Sequence, residues 1–152
     1  MKNTLKLLFL SLLIVQFSSC TKDETTPAAS KTDIITAKPW EINQADFSAG
    51  LSLTVYKKGA TGNLLDASKI SLTFKKDGTI TATDLDGNAL AGTWSFNADE
   101  TKITLPPGLP FETVSIETLT ATNLNVTVPQ FTYAVIGQTV TGILAVKMIP
   151  KA

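Results

Sequence analysis

The chain has 152 residues, with 13 basic and 13 acidic side chains and neither histidine nor arginine. Without a basic excess, and without the side chain that best pairs with phosphates and base edges, the composition argues against nucleic-acid binding. The absence of histidine excludes Ser-His-Asp triads and most zinc sites, so we predict that the chain is not an enzyme and needs no metal or cofactor.

The N-terminal residues have the layout of a secretory signal peptide. Lys2 and Lys6 give a positive start, and an apolar run from Leu5 to Val15 follows. This run is too short for a permanent membrane-spanning helix. No polar face recurs within it, which disfavours the alternative of a buried amphipathic helix. We therefore predict that residues 1–19 are a signal peptide.

The only cysteine of the chain is Cys20. The stretch Phe17-Ser18-Ser19-Cys20 resembles the lipobox of bacterial lipoproteins, although Phe17 replaces the usual leucine. The resemblance implies cleavage between Ser19 and Cys20 and acylation of Cys20. The alternative, a buried free thiol, would place Cys20 among serine, threonine and charged side chains. Two or three acyl chains, at about 0.8 kcal/mol per buried methylene, would give a stable membrane anchor.

The segment after the cysteine is predicted to be a tether. Residues 20–33 are polar and lack aromatic and branched aliphatic side chains, as is typical of flexible linkers. The thirteen residues after Cys20 span about 45 Å when fully extended. Lys22-Asp23-Glu24 resembles the signal that sends Bacteroidota lipoproteins to the cell surface, and the alternative is a plain solvated charge cluster. The resemblance implies a lipid-anchored protein of the outer membrane that faces the cell exterior.

Residues 34–152 are predicted to form a β domain, because apolar and polar residues alternate along them. A short helical turn at residues 33–37, capped by Asp33, precedes the strands. Asp77-Gly78 and Asp86-Gly87 predict hairpins, and Pro129-Gln130 and Gly137-Gln138 predict further turns. The expected strands lie in KPWEINQ, LSLTVYK, KISLTFKK, TITATD, AGTWSFNA, KITL, FETVSIE, NLNVTV, FTYAVI and TVTGILAVKM.

About eight to ten short strands joined mostly by tight turns favour antiparallel pairing, since parallel pairs need long crossovers. We therefore predict an all-β fold, an antiparallel up-and-down barrel. A two-sheet β-sandwich is the alternative.

The order of several motifs resembles the lipocalin-like domains of Bacteroidota lipoproteins, over about residues 32–149. The motifs are Trp40, Phe74 with Asp77-Gly78-Thr79, Gly92-Thr93-Trp94, and Ile116 with Leu119-Thr120. Better-known lipocalins have a glycine where this chain has Lys38, and an arginine packed on the opening tryptophan. Because both are missing here, the resemblance implies the barrel architecture and not a particular ligand.

Five aromatic residues are candidates for the interior of such a barrel. An eight-stranded barrel is either filled by its own side chains or holds one small ligand, and the sequence leaves both open. If a pocket exists, we expect it to be mostly apolar with a few hydroxyl groups. The candidate ligand contacts are Trp40, Phe74, Trp94, Phe96 and Tyr133, each of which is also a plausible core residue.

Charged side chains give weaker signals. Asp84, Asp86 and Asn88 have an alternate spacing similar to that of a calcium loop, but the glycine and the closing glutamate of that loop are missing. The Asp-Gly hairpin explains them without a metal. A site that clamps a carboxylate would need a buried lysine, for which Lys75 and Lys147 are the candidates.

Two functions follow from these observations. The first is a lipid-anchored, non-enzymatic envelope protein whose barrel binds a small apolar or amphiphilic molecule. The second is a surface module that contacts a protein or a glycan through its loops. The candidate loops are residues 59–68 and 106–110. An interior cavity map is the observation that best separates the two.

Overall fold

The structure, a computed structural model, describes residues 28–109, 111–135 and 138–152. It begins with a short helix, α1 (Lys31–Thr36). The Ser30 hydroxyl accepts a hydrogen bond from the Asp33 amide at 3.0 Å, and the Asp33 carboxylate accepts one from the Ser30 amide. The predicted helical turn is confirmed, but its predicted cap is wrong. Ser30 is the N-cap and Asp33 lies inside the helix, because the two side chains form a reciprocal capping box.

Ten strands follow among the described residues, and all of their pairings are antiparallel. They are β1 (Trp40–Ala49), β2 (Leu51–Lys57), β3 (Ser71–Phe74), β4 (Thr79–Thr83), β5 (Ala89–Thr93), β6 (Ser95–Phe96), β7 (Lys102–Thr104), β8 (Thr113–Leu119), β9 (Leu124–Val135) and β10 (Gln138–Pro150).

The strand order shows a nearly closed barrel. The strands pair in the order β5-β4-β3-β1-β10-β9-β8-β7-β6, and β2 pairs with β1 outside this path. The two ends of the path, β5 and β6, are separated in the chain only by Trp94, so the ends of the sheet meet. If β5 and β6 are counted as one bent strand, eight strands form the barrel in up-and-down order. The predicted barrel is confirmed, and the alternative of a sandwich is wrong.

The bend at Trp94 closes the barrel. The predicted strand AGTWSFNA is interrupted there because Trp94 turns toward the β3–β4 turn. Its amide donates to the Gly78 carbonyl at 2.9 Å, and its indole Nε1 donates to the Lys75 carbonyl at 3.0 Å. Gly92 is needed just before the bend, because a Cβ there would lie 2.3 Å from Cβ of Pro106.

One part of the sheet extends beyond the barrel, and we call it the projecting sheet. It contains β2, the last half of β1, the first half of β10 and residues 128–135 of β9, in the order β2-β1-β10-β9. β1 pairs with β3 only at Trp40 and Glu41, and β9 pairs with β8 only up to Thr127. The thirteen residues of β10 span about 40 Å at roughly 3.4 Å per residue.

The predicted turn at Pro129-Gln130 is wrong, because β9 continues through it as a β-bulge. Pro129 and Gln130 together lie opposite Ile143 of β10, and Gln130 has a left-handed φ of 58°. A proline is tolerated here because a bulge, and a strand edge without a neighbour, do not require its missing amide. The predicted turn at Gly137-Gln138 lies partly outside the described residues.

The two ends of the barrel differ in how they are closed. At the helix end, α1 covers the core: the Trp40 indole donates to the Ile35 carbonyl at 2.9 Å, and Lys31 Nζ donates to the Glu100 carbonyl at 2.6 Å. Because antiparallel strands alternate in direction, the turns 75–78, 97–101 and 120–123 lie at this end. The turn 84–88, the connection 105–112 and the projecting sheet lie at the opposite end, which we call the far end.

Candidate functional site

The interior of the barrel contains a small apolar cavity. It offers about 40 Å³ to the centre of a water molecule. Pockets that enclose a drug-sized ligand usually measure about 300–1,000 Å³, so most of this interior is filled by side chains. The wall is mostly aliphatic and aromatic, with Leu72, Val126 and Met148 deep inside and Leu85, Leu109 and Phe111 toward the far end.

The five aromatic candidates occupy different parts of the barrel. Phe74 is the one that lines the cavity. Trp40 is buried against α1 at the helix end. Trp94 stacks edge-to-face between Phe74 and Phe96, with ring centroids 5.1 and 5.2 Å away. This chain of rings packs the core beside the closing bend.

Tyr133 lies apart from the other four aromatic candidates, on the inner face of the projecting sheet. Its ring packs on Phe47 with centroids 5.8 Å apart, and its hydroxyl donates to the Leu64 carbonyl at 3.5 Å. The structure therefore does not bring the five predicted aromatics together around one pocket.

Asp84 lines the cavity, but its carboxylate is already bonded. It accepts the amides of Asp86 and Asn88 at 2.9 and 2.8 Å, and the Asn88 side chain at 3.0 Å. These bonds, the Asn88 side-chain bond first, lower the pKa of Asp84 below its usual value. The arrangement is that of a hairpin turn. Among the described residues, no three His, Cys, Asp or Glu side chains form a cluster that could hold a metal ion.

The two candidate lysines do not face the cavity. Lys147 lies on the outer face of the sheet, where its ammonium is 3.4 Å from an Asp46 carboxylate oxygen. Burial raises the pKa of Asp46, but hydrogen bonds from Thr54 and Gln44 and the nearby Lys147 outweigh it and leave the pKa lowered. Lys75 is exposed beside the β3–β4 turn. The wall of the cavity contains no lysine among the described residues.

The far end exposes large apolar side chains that the sequence analysis did not single out. Leu51 is 86% exposed, Leu64 58% and Leu53 43%, and we call these three the far-end leucines. Leu51 and Leu53 lie on the inner face of β2, where Leu53 is the strand partner of the buried Phe47. The Leu64 amide donates to the Val55 carbonyl at 3.0 Å, which places Leu64 beside them. The sequence contained a signal that could have pointed to this surface, because residues 47–56 contain no charged side chain.

Both predicted loops lie at the far end, and both are held in place. Asn63 bonds the backbone of Lys57 through its carbonyl and amide groups, at 2.9 and 3.1 Å, and fixes the loop of residues 59–68 along β2. Pro106 is buried against Gly92, and Leu109 lines the cavity. Pro110 lies outside the described residues.

The predicted signal peptide, the cleavage site at Ser19, the lipid attachment at Cys20 and the motif at residues 22–24 also lie outside the described residues. In the part of the chain that the structure describes, no helix is long and apolar enough to cross a membrane.

The geometry defines an eight-stranded up-and-down barrel with a helix at one end and a small apolar interior. No protein-family model matches this chain, and no curated protein matches it. The structure is similar to that of a lipocalin-like protein from Bacteroides uniformis, with 18% sequence identity and a TM-score of 0.44, over 77% of this chain and 99% of that chain. The prediction of a lipocalin-like barrel is confirmed at the level of the fold, which the strand order itself defines.

Proposed function

We propose that this chain is a lipid-anchored envelope protein whose barrel is a non-enzymatic module for surface interaction. The observation that carries the proposal is the contrast between a nearly filled interior and exposed leucines at the far end. The cavity of about 40 Å³ is far smaller than a typical ligand pocket. Exposed apolar side chains grouped at one place are typical of interaction sites.

The position of the chain's N-terminal end supports this proposal. Residues 28–30 lead into α1 at the helix end, so an anchor at Cys20 would join the barrel there. The far-end leucines lie at the opposite end of the barrel, with the projecting sheet. Held by the ten residues between Cys20 and α1, which span about 35 Å when fully extended, the far end would stand away from the lipid surface and remain accessible to a protein or a glycan.

The role of the far-end leucines in binding a partner is tested with two variants. The double variant Leu51→Ser with Leu64→Ser removes one exposed apolar side chain from the inner face of β2 and one from the loop beside it, and Ile143→Thr is the matched control. Ile143 is 51% exposed and lies on the outer face of the same sheet, opposite Ser48. Crosslinking on intact cells and a glycan array measure binding.

We expect the wild-type chain and Ile143→Thr to bind the same partner, and the double variant to lose at least about tenfold in affinity, which corresponds to ~1.4 kcal/mol. Equal binding by all three chains would remove the far-end leucines from the site. Thermal unfolding of the three chains serves as the folding control.

The lipid anchor has its own experiment. Cys20→Ala should abolish acyl labelling and move the protein out of the membrane fraction. Protease treatment of intact cells tests whether the barrel faces the exterior, as the resemblance of Lys22-Asp23-Glu24 implies. A Cys20→Ala protein that is still cleaved after Ser19 and still membrane-bound would refute the anchor without affecting the far-end site.

The apolar cavity supports a second candidate function, the binding of a small apolar group such as the end of an acyl chain. Val126 is buried in the wall of the cavity, so Val126→Ile would fill part of it. We expect this variant to weaken binding of a fluorescent fatty acid and to stabilise the fold by about 0.5–1 kcal/mol. Val140→Ile, outside the cavity wall, is the control. Unchanged fatty-acid binding by Val126→Ile, or no binding by the wild type, would exclude the cavity as a lipid site.

A further inference from the structure

The projecting sheet has two outer edges, and the chain treats them differently. The loop after β2 runs back along the β2 edge. Asn63 bonds both backbone groups of Lys57, and the amides of Leu64 and Leu65 each donate to the Val55 carbonyl at 3.0 Å. These bonds cover the β2 edge at Val55 and Lys57, whereas residues 51–54 of the same edge are exposed.

The edge of β9 is not covered in this way. β9 pairs with β8 only from Leu124 to Thr127, after which β8 diverges toward β7. Among the described residues, residues 128–135 of β9 pair with β10 on one side and with no strand on the other. An unpaired strand edge presents free backbone donors and acceptors that can pair with another chain.

The edge strand itself carries none of the charges that soluble proteins usually place on exposed edges, and the nearby charge is Glu112, which lines a groove with residues 128–132. Lysines and inward-pointing charges normally block pairing at such edges. Here no charged side chain occurs between Glu117 and Lys147, a run of 29 residues that contains all of β9 and most of β10. Pro129 and the bulge protect only the start of the free edge, since residues 131–135 lie beyond them.

We propose that residues 131–135 of β9 pair with the same residues of a second copy of this chain. Two antiparallel copies related by a two-fold axis would make a continuous eight-stranded sheet, β2-β1-β10-β9 followed by its copy. A second copy fits because the edge strand is uncharged and its side chains alternate regularly between the two faces of the sheet. Two-fold antiparallel pairing keeps Phe131 and Tyr133 of both copies on the same face and Thr132 and Ala134 on the other, whereas parallel pairing would oppose the faces.

The aromatic side chains on the inner face of this edge are already packed against the rest of the sheet. The Phe131 and Tyr133 rings pack on Phe47, with centroids 6.3 and 5.8 Å from it, and both residues remain partly exposed. Pairing would extend the apolar face across the two-fold axis and cover these rings from the side. The proposal does not depend on the lipid anchor or on the far-end leucines.

The test uses residues 20–152 with Cys20→Ser, so that no acyl chain drives association, and sedimentation equilibrium over a range of concentrations. Thr132→Lys adds a charge to the free edge. Thr141→Lys is the matched control: Thr141 is the strand partner of Thr132, is also exposed and lies on the same face, but it belongs to the inner strand β10. Ala134→Lys is a second edge variant, and the melting temperature of each variant checks its fold.

We expect a reversible dimer that Thr132→Lys and Ala134→Lys weaken by about tenfold or more, and Thr141→Lys by less than about threefold. A parent chain that stays monomeric at its highest soluble concentration would overturn the proposal. So would a dimer that folded edge variants leave intact, or one that Thr141→Lys weakens equally. Species larger than a dimer would instead show pairing between unlike edges.

Discussion

The helix end and the far end of this barrel are built from the same alternating strands. They differ in whether their apolar side chains are buried and whether their polar groups have bonding partners. At the helix end the buried Trp40 has its indole bonded to α1, and Lys76 pairs with Asp33 at 2.5 Å. At the far end Leu51 and Leu64 are mostly exposed, and the β9 edge is unpaired among the described residues. The contrast indicates that the helix end contributes stability, whereas the far end is the part where we propose that partners bind.

The largest effect on stability should come from substitution of Trp40, and substitution of Leu51 is the comparison. We expect Trp40→Ala to cost about 3–5 kcal/mol, because it removes the largest fully buried side chain and its hydrogen bond. Leu51→Ala should change stability by less than about 0.5 kcal/mol, since the side chain is already in water. Urea unfolding measures both. If Trp40→Ala does not fold, Trp40→Phe should still show a loss of about 1–2 kcal/mol. Similar losses for Leu51→Ala and the Trp40 variants would contradict the contrast.

The contact between β1 and β10 inside the projecting sheet, near the end of β1, is the next test. A Cβ on Gly142 would lie 2.2 Å from the Ser48 carbonyl oxygen and 2.9 Å from the Phe47 ring. Because backbone has to move, Gly142→Ala should cost about 1–3 kcal/mol. Thr141→Ala, on the exposed face of the same strand, should cost less than about 0.5 kcal/mol. A neutral Gly142→Ala in chemical denaturation would show that the two strands separate easily here.

The bulge in β9 should give a smaller effect. Gln130 has a φ of 58°, a conformation that β-branched residues rarely adopt. We expect Gln130→Val to destabilise by about 1–2 kcal/mol, and Gln130→Gly to be neutral or slightly stabilising. Thermal unfolding compares the two variants with Thr132→Val, a nearby exposed position in regular strand, which should be neutral. Equal stability of Gln130→Val and Gln130→Gly would argue against the bulge.

The smallest effect should come from Asp33 at the helix end. Hydrogen bonds from Lys76 and Ser30 lower its pKa from 3.8 to about 2. A lowered pKa in the folded state means that the charged carboxylate stabilises the fold above about pH 4, and that this contribution disappears as the pH falls to about 2. Asp33→Asn should therefore lower the melting temperature slightly at pH 6 and not at pH 2. Because the pair is exposed, 1 M salt should reduce the difference. A difference that persists at pH 2 would mean that the carboxylate charge is not its cause.

The sequence predicted the strands well, because one-sided burial imposes period two on each of them. Leu72 and Phe74 of β3 and Ile80 and Ala82 of β4 are buried as their alternation requires. It failed at positions where tertiary contacts decide. Pro129-Gln130 has the composition of a turn but forms a bulge, because β10 continues alongside it. The Asp33 cap failed for a local reason instead: Ser30, three residues earlier, is the N-cap in a reciprocal capping box.

The candidate site was less predictable. Each of the five aromatic residues has the alternation of an inward-facing position, but alternation does not specify depth or neighbours. Only contacts across the barrel place Phe74 on the cavity, Trp94 at the closing bend and Tyr133 on the projecting sheet. The charge-free runs around β2 and β9 were visible in the sequence, but their exposure depends on where β1 and β8 stop pairing.

The sequence by itself determined that this is an antiparallel β domain of short strands and hairpins, because periodicity and turn chemistry are local properties. It also predicted a signal peptide and an acylated Cys20, which remain predictions. The tertiary structure decided that the sheet closes at Trp94, that side chains fill most of the interior and that the β9 edge is left free among the described residues. These features depend on the separation between strands that are distant in the chain, and local sequence patterns do not encode that separation.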